Sequence, residues 1–250
     1  MPLLAMPWWM EESIRGSADV EFQTDLMVSS AHGYFFIRML DDLMDGHEID
    51  RACLPALHLF SFRFQSVYFR YFSSGDSFWD YFERSLASTA EAVSADFSLE
   101  QVSEEDFLSI TARKSSAALI PMAAVCYRYQ RLDILPAWES FLAVFSCWHQ
   151  MRDDLADWSE DLKEGHATWL LSEAQRRKGF AETVPVWMGR TGLPWAAEVM
   201  DGWMRQMKAI APSLNSPELV HYLEAREAAF VQQMTANIKL AALCESLLKL

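Results

Sequence analysis

The chain has 250 residues, of which 51% are hydrophobic and 13% aromatic, so it can bury a sizeable core and still form one domain. Its 35 acidic side chains outnumber 21 basic ones, which gives a formal net charge of −14. Such a surface repels phosphate backbones and anionic lipids, and it excludes the basic footprint of a nucleic-acid-binding protein. An anionic substrate would therefore need specific cations or metal ions in order to bind.

Helical patterns dominate the chain, because Gly and Pro are scarce, at nine each, and no segment alternates like a strand. In chain order, the predicted helices cover residues 21–47, 51–72, 78–97, 103–131, 135–164, 168–178 and 184–210, and a last one runs from 217 to the C-terminus. Ser103 and Asp106 predict an N-terminal capping pair, and Pro121 predicts a kink. A break is expected near residues 192–194. The expected fold is all-α, with about eight to ten helices.

The cysteines and the apolar segments limit the cellular setting. Widely spaced cysteines with neither a zinc-ligand nor a disulfide pattern are expected to be reduced core residues (Cys53, Cys126, Cys147 and Cys244). Residues 1–10 contain no Lys or Arg and so do not follow the order of a signal peptide. The longest apolar stretch, 117–127, is well short of the roughly 20 residues of a spanning helix. A cytoplasmic protein with no integral membrane association is the expectation.

Carboxylates interrupt a helical segment at residues 35–45 that is otherwise apolar on nearly all sides. Asp41 and Asp45 are four residues apart, so they share a helix face, where like charges repel each other. No basic residue lies one turn away except Arg38, which precedes them. If these carboxylates face inward, they need cations as partners.

A second acidic segment runs from Gln150 to Thr168. Within it, Asp153, Asp157 and Asp161 repeat every four residues and form a stripe roughly 12 Å long at about 1.5 Å per residue. In so acidic a chain, either cluster alone is consistent with a solvated surface. Two clusters on aromatic and aliphatic helices favour Mg²⁺ on inward carboxylates, because Mg²⁺ keeps several waters and bridges to substrate phosphates. Facing helices would then hold a diphosphate between metal ions.

Both clusters resemble the aspartate-rich motifs of the all-α isoprenoid synthase superfamily. Asp41-Asp42-Leu43-Met44-Asp45 is similar to the first motif. The second segment matches the trans-prenyl diphosphate synthase pattern Q-x-x-D-D-x-x-D-x-x-x-D-x-x-x-G-x-x-T at Gln150, Asp153, Asp154, Asp157, Asp161, Gly165 and Thr168. Lys114-Ser115 stands where the family usually has Lys-Thr. Residues 39–51 are locally most similar to the short bacterial branch that includes the moenomycin-pathway farnesyl transferase.

The resemblance implies a single-domain isoprenoid-synthase-type helical bundle over residues 1–250, with a central cavity that takes Mg²⁺ and an allylic prenyl diphosphate. The implied metal ligands are Asp41, Asp42, Asp45, Asp153, Asp154 and Asp157, and the implied catalytic residues are Asp41, Asp45, Asp153 and Lys114. The implied substrate contacts are Arg113, Lys114, Gln150, Arg152 and Lys163, with Phe35, Phe36 and Trp148 as a dry aromatic wall around the carbocation. Superfamily members commonly form dimers, so a homodimer is expected.

Departures from the family pattern decide which reaction is expected. The basic residues that hold isopentenyl diphosphate in chain-elongating members are missing, since this chain has Arg15-Gly16 and Arg51-Ala52 in those regions. Head-to-tail elongation is therefore disfavoured. Phe36, five residues before the first motif, argues for a C10 to C20 prenyl group. The first alternative is a class I terpene synthase, in which the cation cyclises or captures water. The second is a prenyltransferase with a separate, non-isopentenyl acceptor.

Other classes fit the sequence less well. A di-iron bundle needs two Glu-x-x-His pairs, and this chain has only Glu218-x-x-His221. An HD-type phosphohydrolase needs a His-Asp dipeptide, which does not occur among the six histidines. A non-enzymatic partner with a degenerate site would predict damaged motifs, whereas both aspartate-rich motifs are complete and the Lys-Thr position departs only at Ser115.

Overall fold

The structure is a computed structural model that describes residues 2–44, 46 and 50–247, with side chains up to residue 243. Within those ranges the chain is all-helical and contains no strand, so the predicted all-α class is confirmed. The α-helices are α1 (Met6–Arg15), α2 (Val20–Met44), α3 (Leu54–Ser66), α4 (Phe78–Phe97), α5 (Glu104–Lys114), α6 (Ile120–Arg128), α7 (Leu135–Glu164), α8 (Trp169–Arg177), α9 (Val184–Trp187), α10 (Leu193–Ile210) and α11 (Pro217–Leu247).

Two predicted helices are divided in the structure. The segment 51–72 consists of a 3₁₀ turn at Arg51–Cys53, then α3, then a second 3₁₀ turn at Tyr68–Arg70. The segment 103–131 breaks at the 3₁₀ turn Ser116–Leu119, so the expected kink at Pro121 is wrong. Pro121 lies instead in the first turn of α6, where its missing N–H would have no intrahelical partner in any case.

The helices pack into two compact units. Unit 1 comprises Met1–Leu86 and Ala117–Pro136, and unit 2 comprises Ala87–Ser116 and Ala137–Leu250. A packing cluster of this kind is not by itself an independently folding domain. The single domain over residues 1–250 stays a prediction.

The core of unit 1 is rich in aromatic rings. Phe72 and Phe78 stack with ring centroids 4.0 Å apart, and Tyr68 and Phe82 pack edge-on beside them. Helices α2 and α3 approach closely at Gly33, where a Cβ would lie 2.9 Å from the Phe64 ring. Glycine is therefore required there for the two helices to pack.

Unit 2 is built around α7, which buries Trp138, Phe141, Phe145 and Trp148. Helices α8 and α10 contribute Leu170, Trp203 and Met207 to the same apolar core. Burial of these side chains supplies the main stabilisation of unit 2, at roughly 25 cal/mol per Å² of apolar surface.

Most of the described cysteines are buried as expected, but one is not. Cys126 and Cys147 are buried and form no disulfide, whereas Cys53 is exposed, so the expectation of a core residue is wrong for Cys53. Cys53 lies in the short 3₁₀ turn that precedes α3, and no residue of this turn is buried. The Cys244 side chain lies outside the described residues.

Candidate functional site

A pocket of about 90 Å³ lies in unit 2 at the start of α8. We call it the α8 pocket. It brings together Lys114 of α5, Gln150 and Asp154 of α7, and Thr168, four positions taken from two separate sequence motifs. The remaining lining residues are Asp96, Val102, Phe107, Ile110, Thr111, Ala167 and Trp169.

Lys114 reaches the pocket from the end of a well-capped helix. Helix α5 begins with a capping box, in which the Asp106 amide donates to Ser103 Oγ and the Ser103 amide donates to Asp106 Oδ2, both at 3.1 Å. The predicted capping pair is thus confirmed. At the other end of α5, Lys114 Nζ donates to Asp96 Oδ2 of α4 at 2.7 Å. The pair is only half-buried, so Lys114 can exchange Asp96 for a ligand at modest electrostatic cost.

Asp154 is the buried carboxyl group of the pocket, with 5% exposure. Its Oδ1 accepts a hydrogen bond of 2.8 Å from Gln150 Nε2, one turn earlier on α7. Burial raises the pKa of Asp154 to about 7, and the negative charges of Asp161 and Asp153 add to this effect, whereas Lys114 opposes it. The pocket therefore holds an acid that is only half ionised near neutral pH and that a bound cation would ionise fully.

The expected inward stripe is wrong for Asp153 and Asp157. Asp153 and Asp157 are exposed, and Asp153 Oδ1 pairs with Arg152 Nη2 at 2.8 Å. Asp154 faces inward instead, because it shares a helix face with the buried residues Cys147 and Met151, seven and three positions earlier. Asp161, a further seven residues on, is half-buried, and burial also raises its pKa. Metal binding by Asp153 and Asp157 stays a prediction.

Most of the other predicted substrate contacts of unit 2 do not line the α8 pocket. Arg113 Nη2 pairs with Glu91 at 2.6 Å, Arg152 pairs with Asp153, and Lys163 is exposed. Trp148 is 1% exposed and packs edge-on against Phe230, so it is a core residue and not a wall of this pocket. Only Lys114 and Gln150 of the predicted set line it.

The first acidic cluster lies at the end of α2 in unit 1. Arg38 pairs with both of its described carboxylates, with N–O distances of 3.5 Å to Asp41 and 3.0 Å to Asp42. Asp45 lies outside the described residues. Arg38, the one basic residue within a turn of the cluster in the sequence, therefore partly neutralises it. Metal binding by Asp41, Asp42 and Asp45 stays a prediction.

The predicted aromatic contacts of unit 1 are largely solvent-facing. Phe35 is 52% exposed and stacks on Phe60 at 5.8 Å between ring centroids, and Phe36 is half-buried. Phe35, Phe60, Ala31 and His32 line an apolar pocket of about 220 Å³ on this unit. Contact of Phe35 and Phe36 with a prenyl chain stays a prediction.

The carboxyl groups in and beside the α8 pocket are of the type that Mg²⁺ binds, although they do not form a cage. Within residues 2–44, 46 and 50–247, no three His, Cys, Asp or Glu side chains are grouped to hold a metal ion. Mg²⁺ is commonly bound by one or two carboxylates, several waters and the substrate phosphates, so a complete cage is not required. Asp154 and Asp161 both carry a raised pKa, and a divalent cation would relieve that penalty.

Two lining residues could not be singled out from the sequence motifs. Asp96 is the partner of Lys114, and Trp169 is the first residue of α8, directly after the last position of the second motif. Asp154 was among the predicted metal ligands, and the buried residues Cys147 and Met151 on its helix face explain why it is the inward member of the Asp153-Asp154 pair. No comparable signal points to Asp96, since its contact with Lys114 depends on how α4 and α5 pack.

Comparison with protein-family models, curated proteins and solved structures finds no match to this chain. Membership of the isoprenoid synthase superfamily therefore rests on the motif resemblance and stays a prediction. No helix in the described part of the chain is both long and apolar enough to cross a membrane.

Proposed function

We propose that the chain is a Mg²⁺-dependent class I terpene synthase that ionises a C10 to C20 allylic prenyl diphosphate, cyclises or quenches the carbocation, and releases diphosphate. One observation carries this proposal. Lys114, Gln150, Asp154 and Thr168, which belong to two motifs separated by more than thirty residues, line the same pocket of unit 2. The family resemblance implies a substrate-binding role for Lys114 and Gln150 and a metal-binding role for Asp154.

The charge of the α8 pocket is compatible with a diphosphate only when a cation accompanies it. Lys114 contributes one positive charge, and Asp96 and Asp154 contribute negative charge that grows as Asp154 ionises. Asp154 lines the pocket, and Asp161 lies two turns further along α7 and acts on Asp154 through its charge. These two carboxyl groups are the proposed Mg²⁺ ligands, with Asp153 and Asp157 as further candidates on the same helix. Bound Mg²⁺ would act as a Lewis acid on the leaving diphosphate.

Lys114 is the residue of this chain that binds the leaving group directly in the proposal. A charge-assisted hydrogen bond from its ammonium group to a phosphate oxygen strengthens as the C–O bond of the substrate breaks and negative charge grows on that oxygen. Asp96 holds the ammonium group at the pocket before the substrate binds. Gln150 holds Asp154 in a fixed orientation through its amide N–H.

The aromatic side of the pocket supports chemistry that must exclude water. Phe107 and Trp169 line it, with ring centroids 5.0 Å apart, and Trp203 stacks on Phe107 at 5.7 Å. Such rings keep water from an allylic cation and stabilise positive charge over their faces. At about 90 Å³ the α8 pocket is smaller than the roughly 300–1,000 Å³ of ordinary ligand sites, so we assign it the diphosphate end of the substrate only.

The test is to incubate the purified chain with geranyl, farnesyl or geranylgeranyl diphosphate and Mg²⁺, without an acceptor. The proposal predicts release of inorganic diphosphate together with a terpene hydrocarbon or alcohol, identified by mass spectrometry, and no release after chelation of Mg²⁺. Release that requires an added acceptor would establish the prenyltransferase alternative, which the local similarity of residues 39–51 favours. No release from any donor under either condition would overturn both.

A further inference from the structure

Asp96 and Lys114 form an ion pair in the wall of the α8 pocket. Lys114 Nζ donates to Asp96 Oδ2 at 2.7 Å, and both residues line the pocket. Lys114 is the cation that the proposed function assigns to the leaving diphosphate, and in the structure an acid from another helix already neutralises it. An anion that enters the pocket therefore has to replace Asp96 at the ammonium group.

The two partners of this ion pair lie at helix ends that affect them in opposite ways. Asp96 is one residue from the end of α4, whose last turn carries no basic residue, and Lys114 is the last residue of α5. The C-terminal end of a helix carries partial negative charge, so it favours an ammonium group and disfavours a carboxylate. The position of Lys114 is therefore favourable with or without Asp96, whereas Asp96 depends on Lys114 to offset the charge of its own helix end.

Packing also keeps Lys114 at the pocket without help from Asp96. The Lys114 side chain is 31% exposed, so most of its aliphatic stem is covered by neighbouring residues. Its ammonium group has three N–H donors, one of which is directed at Asp96. The Asp96 side chain is 38% exposed, so water can hydrate its carboxylate when the pair opens. Loss of the Asp96 charge should thus release Lys114 for a ligand without displacing it.

We propose that Asp96 is an autoinhibitory latch on Lys114, which opens when the diphosphate group of the ligand takes its place at the ammonium group. The identity of the ligand as a diphosphate rests on the proposed function. An ion pair that is partly exposed to water contributes little free energy, so a group with several negative charges can displace Asp96. Until such a group arrives, the latch keeps Lys114 neutralised.

The experiment compares the binding of inorganic diphosphate to the full wild-type chain and to Asp96→Asn, by calorimetry at one fixed Mg²⁺ concentration. Asparagine keeps the shape of the side chain and removes its charge. We expect Asp96→Asn to bind diphosphate about fivefold more tightly, which corresponds to the upper end of the values for exposed ion pairs. Equal or weaker binding by Asp96→Asn would overturn the latch.

The gain has to depend on Lys114 if Asp96 acts through it. In a Lys114→Ala background, Asp96→Asn should therefore change the diphosphate affinity by less than about twofold. The same gain with and without Lys114 would overturn the latch, because removal of one negative charge from the pocket would then be a sufficient cause. Asp96→Ser removes the same charge in a smaller side chain and should reproduce the gain, so the test does not depend on how well one variant folds.

Glu227→Gln is the matched control for the change in net charge. Glu227 accepts from Lys208 Nζ at 2.8 Å in unit 2, and its side chain is exposed to a similar extent as that of Asp96. Neither Glu227 nor Lys208 lines the α8 pocket. Glu227→Gln should leave diphosphate binding unchanged, and a gain as large as that of Asp96→Asn would count against the latch.

Turnover of prenyl diphosphates separates the latch from the proposed function. If Asp96→Asn binds inorganic diphosphate more tightly but no prenyl diphosphate is ionised, the latch stands and the proposed function fails. If the wild type ionises prenyl diphosphates while Asp96→Asn shows no gain in affinity, the proposed function stands and the latch fails. If neither the wild type nor Asp96→Asn binds inorganic diphosphate, the α8 pocket is not an anion site and the latch fails with it.

Discussion

Asp154 is a buried carboxyl group, and burying an ionisable group normally destabilises the folded state. Its pKa of about 7 lies far above the 3.8 expected in the unfolded chain, mainly because the carboxyl group is buried. Since each pKa unit is worth about 1.4 kcal/mol, ionising Asp154 costs roughly 4 kcal/mol more in the folded chain than in the unfolded one. Residues that destabilise a fold in this way are often retained for function.

Because ionised Asp154 is unfavourable in the folded chain, we predict that Asp154→Asn stabilises the chain in the absence of metal. Below about pH 4 the carboxyl group is protonated in both the folded and the unfolded chain, so Asp154 does not lower the free energy of unfolding. As the pH rises towards 7, the unfolded chain ionises first and the free energy of unfolding falls; above about pH 7 the loss is complete. An amide at this position does not ionise and can still accept from Gln150. Urea unfolding should therefore show a gain for Asp154→Asn that is roughly 2 kcal/mol larger at pH 8 than at pH 5.5.

Asp153→Asn is the control, because Asp153 is the adjacent acid but is exposed and paired with Arg152. We expect no comparable gain for that variant at pH 8. Equal stability of wild type and Asp154→Asn at both pH values would show that Asp154 is not the buried acid described here.

The choice between Asp153 and Asp154 shows the limit of prediction for single residues. The Asp-Asp dipeptide was identified, but neighbouring side chains on a helix point about 100° apart, so only one of them can face the core. The predicted metal ligands included both acids, and the four-residue repeat placed Asp153 on the acidic stripe. The face of Cys147 and Met151 selects Asp154, and the burial of these side chains decides the orientation of α7.

At the level of elements, helices with clear end signals were predicted well. Residues 78–97 and 135–164 match α4 and α7, and Gly165 ends α7 with a left-handed φ of 80°, as its position after the last helical residue indicates. Where Pro121 was expected to bend one helix, a 3₁₀ turn ends α5 first. The prediction failed there because a proline in a first turn and a proline at a kink look alike in sequence.

The π-helical turn at Met188–Gly192 joins α9 to α10 and depends on close packing at Gly192. A Cβ at this position would lie 2.6 Å from the buried Trp187 ring and 2.8 Å from Met188 Sδ. Neither contact can be relieved without moving the core. Gly192→Ala should therefore lower the free energy of unfolding by about 1–3 kcal/mol in urea titrations.

Gly202 provides the opposite case on α10, the helix that follows this turn, because nothing lies within 4 Å of its added Cβ. Gly202→Ala should raise the free energy of unfolding by about 0.5–1 kcal/mol, since alanine favours the helix interior. If both variants shifted stability in the same direction, packing at Gly192 would not be the cause.

At the level of the whole molecule, acidic side chains outnumber basic ones by 14, and two of the four predicted diphosphate-binding cations are held in ion pairs outside the α8 pocket. Arg113 and Arg152 are each paired with an acid, and only Lys114 reaches the α8 pocket. The sequence motifs assigned Lys114, Gln150 and Asp154 to one site, and in the structure all three line the α8 pocket. The ion pairs could not be predicted, because they depend on which helices pack together.

The central claim is that the α8 pocket binds the leaving diphosphate through Lys114. The most direct test is the rate of diphosphate release from prenyl diphosphates with Mg²⁺, compared between Lys114→Ala and Lys208→Ala. Both lysines pair with an acid, at 2.7 Å and 2.8 Å, in unit 2, but Lys208 pairs with Glu227 away from the pocket.

We predict that Lys114→Ala lowers the rate by about 10²–10³-fold, as expected when a donor to a developing negative charge is removed. Lys208→Ala should retain the wild-type rate. A Lys114→Ala variant that releases diphosphate as fast as the wild type would contradict the account.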